Sequence, residues 1–229
     1  LPESVGNLDK IEQLRVPSNH LKGEVPRVIA NLTELRYLDL ADNWFLGDIS
    51  WVGALTKLRK LSLNSNQLSG SLPESIGNCV HLTWMYLSEN KFTGSLPNSI
   101  VNLKSLEYFN IASNTLEGPI PPIIGELDEL QYINFSDNVL SGTLPESIGL
   151  LPGLYRMYLN DNRFDGSIPE SYSKLNKLVA FRAENNKLNG TIPEKIGRMS
   201  SLKEFNVQGN NLTGSIPVSF GDMAKLEKL

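Results

Sequence analysis

The sequence predicts an α/β solenoid, a rod of about nine stacked coils, and three recurrences along the chain predict it. An asparagine returns at Asn19, Asn43, Asn66, Asn90, Asn114, Asn138, Asn162, Asn186 and Asn210. Every step is 24 residues except Asn43 to Asn66, which is 23. Two apolar residues separated by one position precede each asparagine, and an apolar residue, a glycine and usually a proline follow it. A period of this length marks a unit too small to bury its own apolar face, which it buries against its neighbours. The pattern runs through residues 1–229, so a single array is expected rather than two globular domains.

The asparagine has a hydrogen-bonding reason. The chain must turn inward after a short strand, leaving backbone groups that face the interior without a strand partner. An Asn side chain offers two donor hydrogens and an acceptor, so it serves its own turn and an adjacent one. Unpaired, such buried groups would cost about 1–3 kcal/mol each. Repeated along the rod, the amides are expected to form an internal ladder.

The strand precedes the asparagine. The pairs Leu14/Val16, Leu38/Leu40, Leu61/Leu63, Met85/Leu87, Phe109/Ile111, Ile133/Phe135, Met157/Leu159, Phe181/Ala183 and Phe205/Val207 alternate with mostly polar neighbours. Alternation of period two over so few residues is a half-buried strand, and one per coil gives a parallel concave sheet. The glycines from Gly23 to Gly214 suit positions needing positive φ. Proline at Pro26, Pro73, Pro97, Pro121, Pro145, Pro169, Pro193 and Pro217 donates no hydrogen bond, so it ends a short second strand and opens a 3₁₀ or α turn on the convex side. One coil departs from the template: a residue is missing after Gly47, and Ser50 replaces proline. A shortened turn filled by Trp51 is expected there, with Trp51 and Trp44 as a candidate contact site.

Composition excludes several functions. The net charge is −4 with both signs interspersed, which does not suit nucleic acid or an anionic membrane. No apolar run reaches the roughly 18 residues of a membrane span. The lone Cys79 leaves no internal disulfide and sits where a side chain should point inward. His20 and His81 fall in different coils, and no nucleophile motif or metal-ligand spacing occurs, so no catalytic residue, metal or cofactor is expected. Both ends read as the middle of a repeat, so an internal segment of a longer protein, lacking both caps, is expected.

The coil motif Leu-x-Gly-x-Ile-Pro after the asparagine, as in Leu188-Asn189-Gly190-Thr191-Ile192-Pro193 and Leu212-Thr213-Gly214-Ser215-Ile216-Pro217, resembles the plant-type leucine-rich repeat family. The resemblance covers essentially the whole chain and is closest to receptor-like kinase and receptor-like protein ectodomains. It implies a right-handed superhelix and an extracellular or cell-surface module that recognises a peptide or protein, with a co-receptor as a further partner. It leaves two alternatives behind this reading: a secreted inhibitor of a cell-wall-degrading enzyme, and a scaffold subunit in a larger assembly. Peptide-sensing members often place two arginines on alternate positions of one strand to hold a terminal carboxylate. Here the matching strand reads Arg182-Ala183-Glu184, which argues against such a ligand.

The solvent-facing strand positions are free of packing demands, so their chemistry is informative. Trp84, Tyr108 and Tyr132 share one column in consecutive coils and Arg156 continues it; Tyr86, Tyr158 and Arg182 lie in the next column, and Tyr155 flanks them. Such residues are favoured at interfaces, so these eight form the candidate ligand-binding patch, with Asp137, Asp161 and Glu184 on its rim. N-glycosylation triplets begin at Asn31, Asn134, Asn189 and Asn211. A glycan at Asn134 would cover the middle of the patch. A file of hydroxyls, Ser71, Ser95, Thr143, Ser167, Thr191 and Ser215, is expected to hydrogen-bond along the second strands.

Overall fold

The computed structural model describes all residues from Leu1 to Leu229. Nine three-residue strands form one parallel sheet in sequence order, and each defines a coil. Coils 1 to 3 carry Gln13–Arg15, Tyr37–Asp39 and Lys60–Ser62; coils 4 to 6 carry Trp84–Tyr86, Tyr108–Asn110 and Tyr132–Asn134; coils 7 to 9 carry Arg156–Tyr158, Ala180–Arg182 and Glu204–Asn206. Short second strands build a seven-stranded parallel sheet from Lys22–Glu24 to Arg163–Asp165, followed by a separate pair, Asn189–Thr191 and Asn211–Thr213. Between the sheets runs one continuous core of 55 residues, from Val25 to Met223.

The convex turns are all 3₁₀, ten of them, from Glu3–Asn7 to Val218–Asp222. The expectation of 3₁₀ or α turns thus narrows, for a reason visible in the bonds. Within each turn a residue donates to a carbonyl three positions back, a proline's in every turn but Val52–Ala54, as Ile76 N does to Pro73 O at 3.0 Å and Val52 N to Ile49 O at 3.0 Å. Five residues between a proline and the next inward leucine leave little room for an α-helical ladder. Stacking is close here. At Gly149 a Cβ would fall 2.5 Å from the Ser171 carbonyl oxygen of the following turn. Where Val101 replaces this glycine, the turns Asn98–Asn102 and Pro122–Glu126 pack less closely.

The ladder forms, and its direction is backwards along the chain. Asn162 Nδ2 donates to Leu159 O (3.2 Å) and Asn160 O (3.1 Å) in its own turn and to Phe135 O (2.9 Å) in the preceding coil. Its Oδ1 accepts from the preceding coil's Leu140 N at 3.0 Å. The same four contacts recur at Asn43, Asn66, Asn90, Asn114, Asn138, Asn186 and Asn210. Asn19 bonds only Val16 O and Pro17 O of its own turn.

A feature that no sequence argument anticipated stands beside each ladder residue. The residue before it is left-handed: Ser18, Asp42, Ser65, Glu89, Ser113, Asp137, Asp161 and Asn185 have φ of 53–56°, and Gly209 has 65°. This kink turns two successive N–H groups toward the next coil, as Asp42 N donates to Asn64 O and Asn43 N to Ser65 O. Left-handed backbone disfavours most L-residues but suits Asn and Asp better than others.

The short coil behaves as expected in one respect and not in another. Its turn, Val52–Ala54, has three residues where the others have five. Trp51 is 5% exposed in the core, and its Nε1 donates to Asp48 O at 3.1 Å, so it is a packing residue and not a contact site. Trp44 is exposed and meets His20 edge-on at 5.5 Å. Cys79 is buried as expected; its thiol donates to Val52 O and Leu55 O, and burial pushes its pKa up to about 11.

The hydroxyl file does not hydrogen-bond along the strands. Ser71, Ser95, Thr143, Ser167, Thr191 and Ser215 are all exposed. All but Ser215 lie against the positive-φ glycine of the next coil: a Cβ at Gly94, φ 73°, would lie 3.3 Å from Ser71 Cβ.

Candidate functional site

The register of the concave sheet decides which predicted residues meet. Trp84 pairs with Tyr108, Tyr108 with Tyr132 and Tyr132 with Arg156, so the first column is continuous over coils 4 to 7. In the second column Tyr86, Asn110, Asn134, Tyr158 and Arg182 follow one another. Tyr86 is therefore separated from Tyr158 by two asparagines, and Lys60 of coil 3 sits over its ring at 5.9 Å.

Four rings form the row itself. Trp84 and Tyr108 have centroids 6.3 Å apart, Tyr108 and Tyr132 are stacked at 6.2 Å, and Tyr158 meets Tyr132 edge-on at 5.8 Å. All four are half-buried, so each keeps surface open to a partner. Their environment also perturbs them. The Tyr155 hydroxyl bonded beside Tyr108, together with burial, raises the Tyr108 pKa, and burial raises those of Tyr86 and Tyr132. Tyr86, Tyr108 and Tyr132 are therefore neutral donors at any ordinary pH.

The two arginines differ. Arg182 forms a forked pair with Glu204 of coil 9, Nε to Oε1 at 3.0 Å and Nη2 to Oε2 at 3.1 Å, and lies over the Tyr158 ring at 5.3 Å. Its hydrogen-bonding edge is thereby occupied. Arg156 is exposed, has no carboxylate partner, and lies over Tyr155 at 5.6 Å. Tyr155 does not join the row; it walls a lateral depression of about 540 Å³ with Asp128, Glu129, Gln131, Pro152, Gly153 and Lys177. A second depression of similar size lies on the convex turns around Glu170, Lys174, Lys195 and Arg198, where the Glu170–Lys195 ion pair crosses it. It has no apolar wall.

Sequence reasoning missed Glu204 and the lateral depression. The period could have found the first: Glu204 falls one coil on from Ala180 in the column adjoining Arg182, within reach of a guanidinium. The second depends on how Pro152-Gly153 shapes the loop before Tyr155, which no repeat count reveals.

The glycosylation triplets separate by position. Asn31, Asn189 and Asn211 are exposed, and Asn189 and Asn211 are register partners in the last second-strand pair. Asn134 is half-buried within the patch, its Oδ1 accepting from Ser136 Oγ at 2.7 Å and Ser136 N at 3.2 Å.

Comparison with known proteins agrees with this geometry. Leucine-rich-repeat models match residues 56–116, 33–78, 129–151 and 201–223, together more than half of the chain. Receptor-like protein 41 of Arabidopsis thaliana is 49% identical over 49 residues, which is 21% of this chain and 6% of that protein. The plant peptide hormone receptor RGFR1, solved in complex with RGF2, superposes with a TM-score of 0.97 at 36% identity, over 99% of this chain and 36% of that one. A TDR receptor superposes with a TM-score of 0.96 at 31% identity, over 100% of this chain and 40% of that one. The chain thus spans well under half the length of these relatives. By its coil geometry, its asparagine ladder and these matches, the chain belongs to the leucine-rich-repeat family, in the form found in plant receptor ectodomains.

Proposed function

We propose that this chain is the ligand-recognition part of an extracellular, receptor-like ectodomain, and that it binds a peptide or protein through the concave face and its lateral rim. The observation that carries the reading is the row Trp84, Tyr108, Tyr132 and Tyr158. The core lies on the other side of the sheet, so nothing in the packing requires four aromatic rings here. Large, stiff, amphipathic side chains lose little freedom on contact and are concentrated at binding hot spots. The likeness to a peptide hormone receptor supports the same reading.

The chain's two histidines stand in separate coils, and one meets Trp44 edge-on. The experiment is selection of random linear peptides on the immobilised chain, followed by binding of the selected peptides to a variant with alanine at Trp84, Tyr108, Tyr132 and Tyr158. Loss of binding with unchanged circular dichroism supports the concave row. Undiminished binding moves the site to the rim or the convex side. Asn134 stays free of glycan in this account, which glycopeptide mass spectrometry of secreted protein checks.

A further inference from the structure

We infer that the concave ligand is a cationic extended peptide, its lysine or arginine side chains met by a rail of carboxylates along one edge of the aromatic row. The inference rests on the reading above and adds the charge of the ligand to it.

The rail follows from the left-handed residues. One such residue per coil stands at the strand exit, on the same edge each time, and over coils 4 to 7 these are Glu89, Ser113, Asp137 and Asp161. Glu184 of coil 8 adjoins them one residue earlier in its turn, near enough for Asp161 to act on its charge.

None of Glu89, Asp137, Asp161 and Glu184 takes part in any of the chain's ion pairs. Glu89 accepts from Ser65 Oγ, and Asp161 from the amides of Asn160 and Asn185, which orient the carboxylates without neutralising them. One Glu184 carboxylate oxygen, Oε2, is closed to solvent and has no hydrogen-bond partner. The cation beside it, Arg182, is held by Glu204. Like charges in successive coils repel at strand spacing, and a cation supplied from outside relieves them.

The opposite edge has the same sign. In the lateral depression beside Tyr155, Asp128 and Glu129 are unpaired and Lys177 is the one cation among the lining residues. A carboxylate pair next to an aromatic ring suits the long stem and charged head of lysine or arginine. A ligand carboxylate anchored on Arg182 is disfavoured, because Glu204 already holds that arginine, which leaves Arg156 as the one unpaired cation of the patch.

The test is removal of charge by amide at constant shape. Asp137→Asn and Asp161→Asn place Asn, a residue suited to left-handed backbone, where Asp stands, and Glu184→Gln removes a buried unpaired charge, so the triple variant folds. Random linear peptides selected on the parent chain are expected to be enriched in lysine and arginine beside aromatic or aliphatic residues. They should bind the triple variant at least tenfold more weakly and lose affinity as salt rises. Selected peptides that are neutral or acidic, or that bind the triple variant as well as the parent, overturn the inference. If those same peptides fail to bind the aromatic-to-alanine variant, the concave reading survives without it. Peptides indifferent to both variants, or none selected at all, sink both.

Discussion

Replacing Asn162 tests whether the ladder is a set of required hydrogen bonds or a by-product of the turn. Leucine matches asparagine in shape but bonds nothing. In the variant Asn162→Leu, Leu140 N–H and Phe135 C=O lose the side-chain partner that joined coils 6 and 7, at 3.0 and 2.9 Å. At about 1–3 kcal/mol for each buried group left unpaired, the two together cost about 2–6 kcal/mol. The Leu159 and Asn160 carbonyls also lose a donor, but the second is partly open to water and adds less. Asn162→Ala leaves room for a water to bridge the orphaned groups and should cost less than leucine. Asn162→Asp keeps the acceptor for Leu140 N–H but sets a carboxylate against three carbonyls, so it should be the worst of the three. Asn19→Leu is the control, because Asn19 is exposed and reaches no other coil. Urea midpoints followed by far-ultraviolet circular dichroism give the comparison. If Asn162→Leu shifts the midpoint no more than Asn19→Leu does, the ladder does not hold the coils together.

Three further outcomes follow from the same structure. Tyr172 is 1% exposed and its hydroxyl has no partner, so Tyr172→Phe should raise stability by about 1–3 kcal/mol in urea titration; a loss would show that the hydroxyl is bonded. Gly149→Val should cost about 1–3 kcal/mol or more, because its Cβ would meet Ser171 backbone at 2.5 Å, and an unchanged melting temperature would contradict that close approach. The pH dependence has two signs. Ser50 hydrogen bonds hold Asp48 below the usual carboxylate range, and Lys195 does the same for Glu170, so their contribution is present above the unfolded carboxylate pKa of about 4 and is lost as pH falls through their lower folded values. Burial raises the Glu184 pKa, so its contribution runs the other way, being lost as pH rises through its folded value. Glu184→Gln should therefore be more stable than the parent at pH 7 and equal to it below about pH 4, as denaturation at the two pH values would reveal.

The fold was legible because its determinants are local and repeated. A recurrence of Asn, Gly and Pro, 24 residues long in all coils but the one with Ser50, encodes a turn, a positive-φ residue and the opening of a 3₁₀ segment, and the register of Trp84, Tyr108, Tyr132 and Arg156 follows by counting. The left-handed residue before each ladder asparagine was not legible, since Ser, Asp, Glu, Asn and Gly all occupy it. Asp42, Asp137, Asp161, Asn185 and Gly209 suit left-handed backbone, but Ser18, Ser65, Glu89 and Ser113 adopt it too, where the hydrogen bonds between coils accompany it without that preference. Trp51 fills the shortened turn as expected, and only its second reading as a contact fails, because the deleted residue leaves its ring inside the core. The pairing of Arg182 with Glu204 was missed although the period places Glu204 in the adjoining column, because a diagonal contact is read only when neighbouring columns are compared.

The binding face is tested most directly by hydroxyl-radical footprinting of the chain with and without a saturating selected peptide, read by mass spectrometry at individual tyrosines. Protection at Tyr108, Tyr132 and Tyr158, with Tyr37 in coil 2 unchanged, is the result expected of a ligand lying on coils 4 to 8. Protection confined to Trp44 or to the convex turns, with the row as reactive as in the free chain, would contradict it.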